Sequence, residues 1–135
     1  MRTLQMLRKK YPKLKIGLTF NIASSEYAEV VNVLYRLGYI DGVMFMGISP
    51  GVLGTDSFSS EVGFRISLMH KFYPELKVFI DGSVKFDTVK NYKDYGAAVC
   101  VSGSSMMFKE DDTTTGMNRQ EIISHNIERI NNLIK

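Results

Sequence analysis

Leu76 to Lys109 reads LKVFIDGSVKFDTVKNYKDYGAAVCVSGSSMMFK, and this stretch decides the fold. Two apolar runs, Val78-Phe79-Ile80 and Ala98-Val99-Cys100-Val101, each stop at a small polar turn containing glycine. The turns are Asp81-Gly82-Ser83 and Ser102-Gly103-Ser104-Ser105. The segment between the runs, near Phe86 to Tyr95, reads as a helix closed by Gly96. Strand, turn, helix, strand, turn is a βαβ unit, and such units bind ligands at the carboxyl ends of their strands, where both turns lie.

The same grammar extends upstream. Met1 to Tyr11 places Leu4, Leu7 and Tyr11 on one side of a short helix that ends before Pro12. Lys15 to Asn21 is a first strand. A helix follows, with Ser24 or Ser25 as its cap, Glu26 and Glu29 in its first turn and a stripe of Tyr27, Val30, Val31, Leu34 and Leu37, and it stops at Gly38. Val43 to Ile48 is a continuous apolar run of the kind buried on both faces in parallel sheets. Its exit, Ser49 to Asp56, holds three breaker residues, Pro50, Gly51 and Gly54, which predict a shaped loop. A helix over Ser59 to Phe72 then buries Phe58, Val62, Ile66 and Met69 and closes at Pro74.

Downstream, Glu110 to Gly116 predicts a loop. Asn118 with Glu121 is a capping pattern, and Ile123, Ile127, Ile130 and Ile134 recur at helical spacing. The order is one helix followed by four βα units. The right-handed crossover rule makes the sheet parallel and puts all four strand exits on one edge. The fold class is therefore α/β, with residues 1–135 as a single domain.

Bulk composition narrows the partners. With 44% hydrophobic and 23% charged residues the chain has the make-up of an ordinary globular domain. The net charge of +3 comes from scattered cations, so nothing points to nucleic acid. The densest patch, Arg8-Lys9-Lys10 with Lys13 and Lys15, reads as a solvated helix face. A single Cys100 inside an apolar run reads as a small buried hydrophobe in a reducing compartment. No run reaches the roughly 18 apolar residues of a membrane span, and no signal peptide opens the chain. The expected location is the cytoplasm.

VMFMGISPG (Val43 to Gly51), VFIDGS (Val78 to Ser83) and VSGSSMMF (Val101 to Phe108) together resemble three strand exits of the ribulose-phosphate 3-epimerase family. The DGS form is similar to the allulose-6-phosphate 3-epimerase branch, whereas SPGVLG departs from the family's NPGFGG. These epimerases are TIM barrels, and the resemblance maps this chain to strands five to eight. A TIM barrel takes about 250 residues, and at least about 200, so this chain is read as half a barrel, truncated or split.

The resemblance implies an isomerase of carbohydrate metabolism, of the pentose phosphate type, that epimerises C3 of a ketose phosphate by metal-assisted proton transfer once the missing half completes it. Asp81 then corresponds to one of two acids and to a ligand of a divalent metal (Zn, Fe or Mn). The alternative for Asp81 is a turn aspartate bonded to nearby amides. The remaining ligands are absent: His70 and His125 both fall within helices, and one ligand does not hold a catalytic metal.

Gly82, Ser83, Gly103 and Ser104 correspond to a phosphate site of the kind TIM barrels build after strands seven and eight, the alternative being two ordinary turns. Met46 corresponds to a methionine over the reacting carbons, and Ser49, Pro50 and Gly51 to a loop that folds over substrate. An uncompleted half barrel also exposes strand edges and an apolar face. Its expected partner is a second copy or the missing N-terminal half. The reading from a different class is a non-catalytic half barrel that binds sugar phosphate or serves oligomerisation.

Overall fold

The computed structural model describes residues 1–48 and 59–135. The elements are α1 (Arg2–Lys10), β1 (Gly17–Phe20), α2 (Tyr27–Arg36), β2 (Gly42–Met46), α3 (Ser60–Phe72), β3 (Lys77–Asp81), α4 (Val89–Asp94), β4 (Val99–Val101), a 3-10 turn at Asp112–Thr114 and α5 (Arg119–Leu133). All three strand pairings are parallel, and the sheet order is β1-β2-β3-β4. Each crossover steps one strand in the same direction, so successive helices fall on the same side of the sheet. A doubly wound sheet would reverse its order at a switch point. This sheet does not, and its architecture is that of half a (β/α)8 barrel.

Strand alternation assigns the two faces. Val43, Phe45, Val78 and Ile80 are at most 1% exposed, and their strand neighbours Met44, Met46, Phe79 and Asp81 are only half-buried. The buried set meets the helices. Tyr27 of α2 packs edge-on against Phe45 with ring centroids 5.4 Å apart, and Val62, Ile66 and Met69 of α3 join the same cluster. The opposite face carries one row of Thr19, Met44, Phe79 and Val99 and a second of Met46, Asp81 and Val101. Val99 and Val101 are 39% and 42% exposed. No described helix is long and apolar enough to cross a membrane.

Both expected helix stops are made. At the end of α2, the Tyr39 N–H bonds the Leu34 carbonyl and Gly38 bonds Tyr35. After α4, Ala97 bonds Tyr92 and Gly96 bonds Lys93. The Asn118–Glu121 capping box is also present, with Asn118 Oδ1 accepting from Gln120 and Glu121 at 3.0 and 3.1 Å.

Several expectations are corrected. No serine caps α2, whose N-cap is Glu26 without a side-chain bond, and Val30 and Leu37 are exposed while Val31 and Leu34 carry the buried side. Arg8 is not a solvated cation: it bonds the Asp41 carboxylate at 2.5 Å and the Leu14 carbonyl at 2.6 Å. Cys100 is half-buried, not fully buried. The buried phase of α5 is set by Ile122 and Asn126, leaving Ile127 exposed. Asn126 donates to the Met107 and Lys109 carbonyls, while Ile130 and Ile134 of the expected stripe do pack against the core. Within the expected loop of 110–116, Asp111 caps the 3-10 turn by accepting from the Thr113 N–H at 3.0 Å. Phe58 and the exit loop after β2 lie outside the described residues.

Candidate active site at the strand exits

Asp81 is the last residue of β3, flanked in register by Met46 of β2 and Val101 of β4. The parallel pairing puts the three side chains in one row at the carboxyl edge, on the face away from Phe45, Ile80 and Cys100. Asp81 is half-buried, and its carboxylate takes no hydrogen bond or ion pair from any described residue. The local caps that would make it an ordinary turn aspartate are not formed.

The exits of β2 and β3 touch through their backbones. The Gly47 N–H donates to the Asp81 carbonyl at 2.7 Å. A Cβ on Gly47 would stand 2.3 Å from the Gly82 carbonyl oxygen, and one on Gly82 would stand 2.7 Å from Ile48 Cγ1. Gly82 also has φ of +89°, where a side chain is strained. Ser83 follows with φ of +53°, a left-handed conformation that a non-glycine residue holds only when its surroundings enforce it.

Those surroundings are specific. The Ser83 hydroxyl donates to the Gly47 carbonyl at 3.3 Å. Thr88 Oγ1 donates to the Ser83 carbonyl at 2.6 Å and accepts from the Lys85 N–H at 2.9 Å. The Thr88 contribution was not read from the sequence. Its signal was local: a threonine three residues after Lys85, just before an apolar helical position, able to close the turn on itself.

The β4 exit joins this turn from the other side, because the Ser102 hydroxyl donates to the Val84 carbonyl at 3.0 Å. Gly103, Ser104 and Ser105 are exposed, and the Gly103 carbonyl accepts from the Met106 and Phe108 amides at 3.2 and 3.1 Å. That bonding folds 103–108 into a tight turn with Ser104 and Ser105 exposed at its start. Exposed amides in such a turn suit an anion. Gly82, Gly103 and Ser104 are thus gathered on one edge with Asp81 and Met46. The Ser83 hydroxyl is spent inside the fold, and Ser49 and Gly51 lie outside the described residues.

The family-implied metal does not fit these residues. Among the described residues no three His, Cys, Asp or Glu side chains come together as a metal-binding group. Both histidines sit on helices, His70 exposed and His125 half-buried beside Thr113 at 3.2 Å. Burial pushes the Cys100 thiol above its ordinary value, so it is protonated at neutral pH and a poor ligand or nucleophile. A cavity of about 560 Å³ opens at the amino ends of the strands, with Gly17, Gly42, Lys77 and Phe79 in its wall. It does not reach Asp81.

A parallel sheet in sequential order, with Asp81 and two glycine-containing turns at its strand exits, defines half of a (β/α)8 barrel. The chain belongs to the ribulose-phosphate 3-epimerase family, whose model matches residues 1–107. It is 36% identical over 90 residues to a ribulose-phosphate 3-epimerase of Schizosaccharomyces pombe, a match covering 67% of this chain and 39% of that protein. It is 28% identical over 82 residues to the Eremothecium gossypii ribulose-phosphate 3-epimerase, covering 60% and 34%. The matches span well under half the length of these relatives.

Proposed function

We propose that residues 1–135 form one half-barrel domain of a ribulose-phosphate 3-epimerase-like isomerase, corresponding to strands five to eight, which holds a ketose phosphate by its phosphate and presents one of two proton-transfer groups. The observation that carries this reading is the juxtaposition at one edge of the Asp81 carboxylate, which bonds no described residue, and the Gly82 and Gly103 turns joined by Ser102. Inverting a carbon next to a carbonyl requires a proton to leave one face of a planar enediolate and return to the other. Asp81 serves one face, and the second acid comes from outside the described residues. Met46, in register beside Asp81, provides an apolar wall against the carbon chain, and Ser49 and Gly51, expected to bind substrate, lie outside the described residues. With a single candidate ligand, no step is assigned to a metal. The site of action is the cytoplasm.

Completion is part of the proposal. β1 pairs only with β2, and β4 only with β3, among the described residues, so both sheet edges are open. Closing them takes a second copy of this chain or the missing half barrel. The alternative reading is a non-catalytic half barrel that binds sugar phosphate, and the lack of a metal-binding cluster among the described residues favours it.

The test measures binding of ribulose phosphate and of inorganic phosphate to the purified chain by calorimetry, with exchange of the C3 proton in heavy water as the readout of chemistry. Saturable binding of both anions supports the site. C3 exchange that disappears in D81N supports the role of Asp81; binding without exchange favours the non-catalytic reading. Binding of neither anion overturns the proposal.

A further inference from the structure

Arg65 is the one charged side chain buried among the described residues, at 5% exposure. It lies one turn into α3, and its guanidinium reaches across to the exit of β1. Nη1 donates to the Asn21 carbonyl at 3.2 Å, and Nη2 donates to the Ile22 carbonyl at 2.8 Å and to Glu61 Oε1 at 2.5 Å. The guanidinium also lies 4.8 Å from the centre of the Tyr27 ring, and Tyr27 packs on both Phe20 and Phe45. Phe20 and Phe45 are the residues immediately before Asn21 and Met46. One buried cation therefore locks the last turn of chain before the site on two adjacent strands.

Burying a charge is costly, and an apolar side chain of similar volume usually stabilises a core as well or better. What the fork supplies instead is geometry: two successive carbonyls and a carboxylate held by one rigid plane. The residue held there is Asn21. Its carbonyl is fixed by Arg65 and by the Ser24 N–H at 3.0 Å, and its side-chain amide makes no hydrogen bond to a described residue. Phe20 faces the helices, and Asn21, exposed, is the first residue past the end of β1, at the same carboxyl edge that Met46 and Asp81 occupy on β2 and β3. It stands two strands from Asp81, roughly 10 Å at the usual strand spacing. That span suits a short sugar chain whose phosphate sits at the Gly82 and Gly103 turns.

We propose that Arg65 is a positioning residue that holds the Asn21 amide at the strand-exit edge as a hydrogen-bonding group for a substrate hydroxyl remote from the phosphate. The inference rests on the ketose-phosphate reading above and assigns the recognition of the sugar, as distinct from its phosphate.

The experiment compares ribulose phosphate with inorganic phosphate as probes of the parent, N21A and R65K, with thermal unfolding measured on each. Loss of one hydrogen bond predicts about five- to tenfold weaker binding of ribulose phosphate in both variants, with inorganic phosphate unchanged within about twofold. A purely structural role would weaken both anions together, and that result overturns the proposal. So does R65K binding ribulose phosphate as the parent does. Should R65K fail to fold, N21A, whose side chain is exposed, decides alone: unchanged ribulose phosphate affinity overturns the assignment. A parent that binds neither anion overturns the ketose-phosphate reading and this one with it, whereas a parent that binds both and variants that match it overturn only this one.

Discussion

The Ser102 hydroxyl bonds the Val84 carbonyl at 3.0 Å, so the turn that ends β4 is tied to the turn that ends β3. Neither turn alone is more than a glycine-containing bend. Joined, the Gly82 and Gly103 turns are held together at the carboxyl edge beside Asp81. Replacing Ser102 with alanine removes the tie and leaves the Val84 carbonyl without that donor. The expected cost is about 1 kcal/mol in urea denaturation, with weaker inorganic phosphate binding. Unchanged phosphate affinity in S102A would show that the turns need no bridge.

The two glycines of the turns predict opposite behaviour. Gly82 has positive φ, and a Cβ there would press on Ile48 Cγ1 at 2.7 Å, so G82A is expected to destabilise the fold by about 1–3 kcal/mol. A Cβ on Gly103 would meet nothing nearer than the Phe108 ring carbons at 4.0 Å. G103A should therefore fold like the parent while crowding the anion approach. Equal unfolding midpoints for the two variants would contradict this account of the β3 exit.

Asp41 supplies the acid dependence. Burial raises its pKa, but the Ile16 N–H and the Arg8 and Lys15 side chains outweigh that and hold it at about 2. A carboxylate with a folded value below its unfolded one stabilises fully above about pH 4, and the contribution is lost as pH falls toward the folded value. D41N should cost roughly 1–2 kcal/mol at neutral pH and should show a flatter stability profile than the parent between about pH 4 and 2. Parallel profiles for the two proteins would remove Asp41 as the source.

Open edges and a part-exposed face predict self-association. Val101 is 42% exposed in the row that holds Asp81. If a second copy closes the barrel, sedimentation velocity on the parent shows a concentration-dependent dimer, and V101K shifts it to monomer. A parent that stays monomeric at high concentration contradicts closure by a second copy.

Much of this architecture was legible because its signals are local. A run such as VFI followed by DGS announces a buried strand and its exit without reference to the rest of the chain, and Gly38 and Gly96 mark helix ends in the same way. The failures came from contacts distant in sequence. α5 is anchored through Asn126, whose amide reaches carbonyls at Met107 and Lys109 that no helical periodicity reveals. Arg8 looked like one of several lysine-flanked surface cations until folding brought Asp41 beside it. Of the site, Asp81 and the two turns were visible as motifs. The inward use of the Ser83 hydroxyl, the Thr88 clasp and the buried Arg65 were not, since each depends on which carbonyl the fold places within reach.

The backbone contact between Gly47 and Gly82 couples the two strand exits mechanically. A Cβ at position 47 would collide with the Gly82 carbonyl oxygen, and one at 82 with Ile48, so neither position tolerates drift by itself. A side chain at either position forces the other exit to move with it, so the ends of β2 and β3 shift only as one unit.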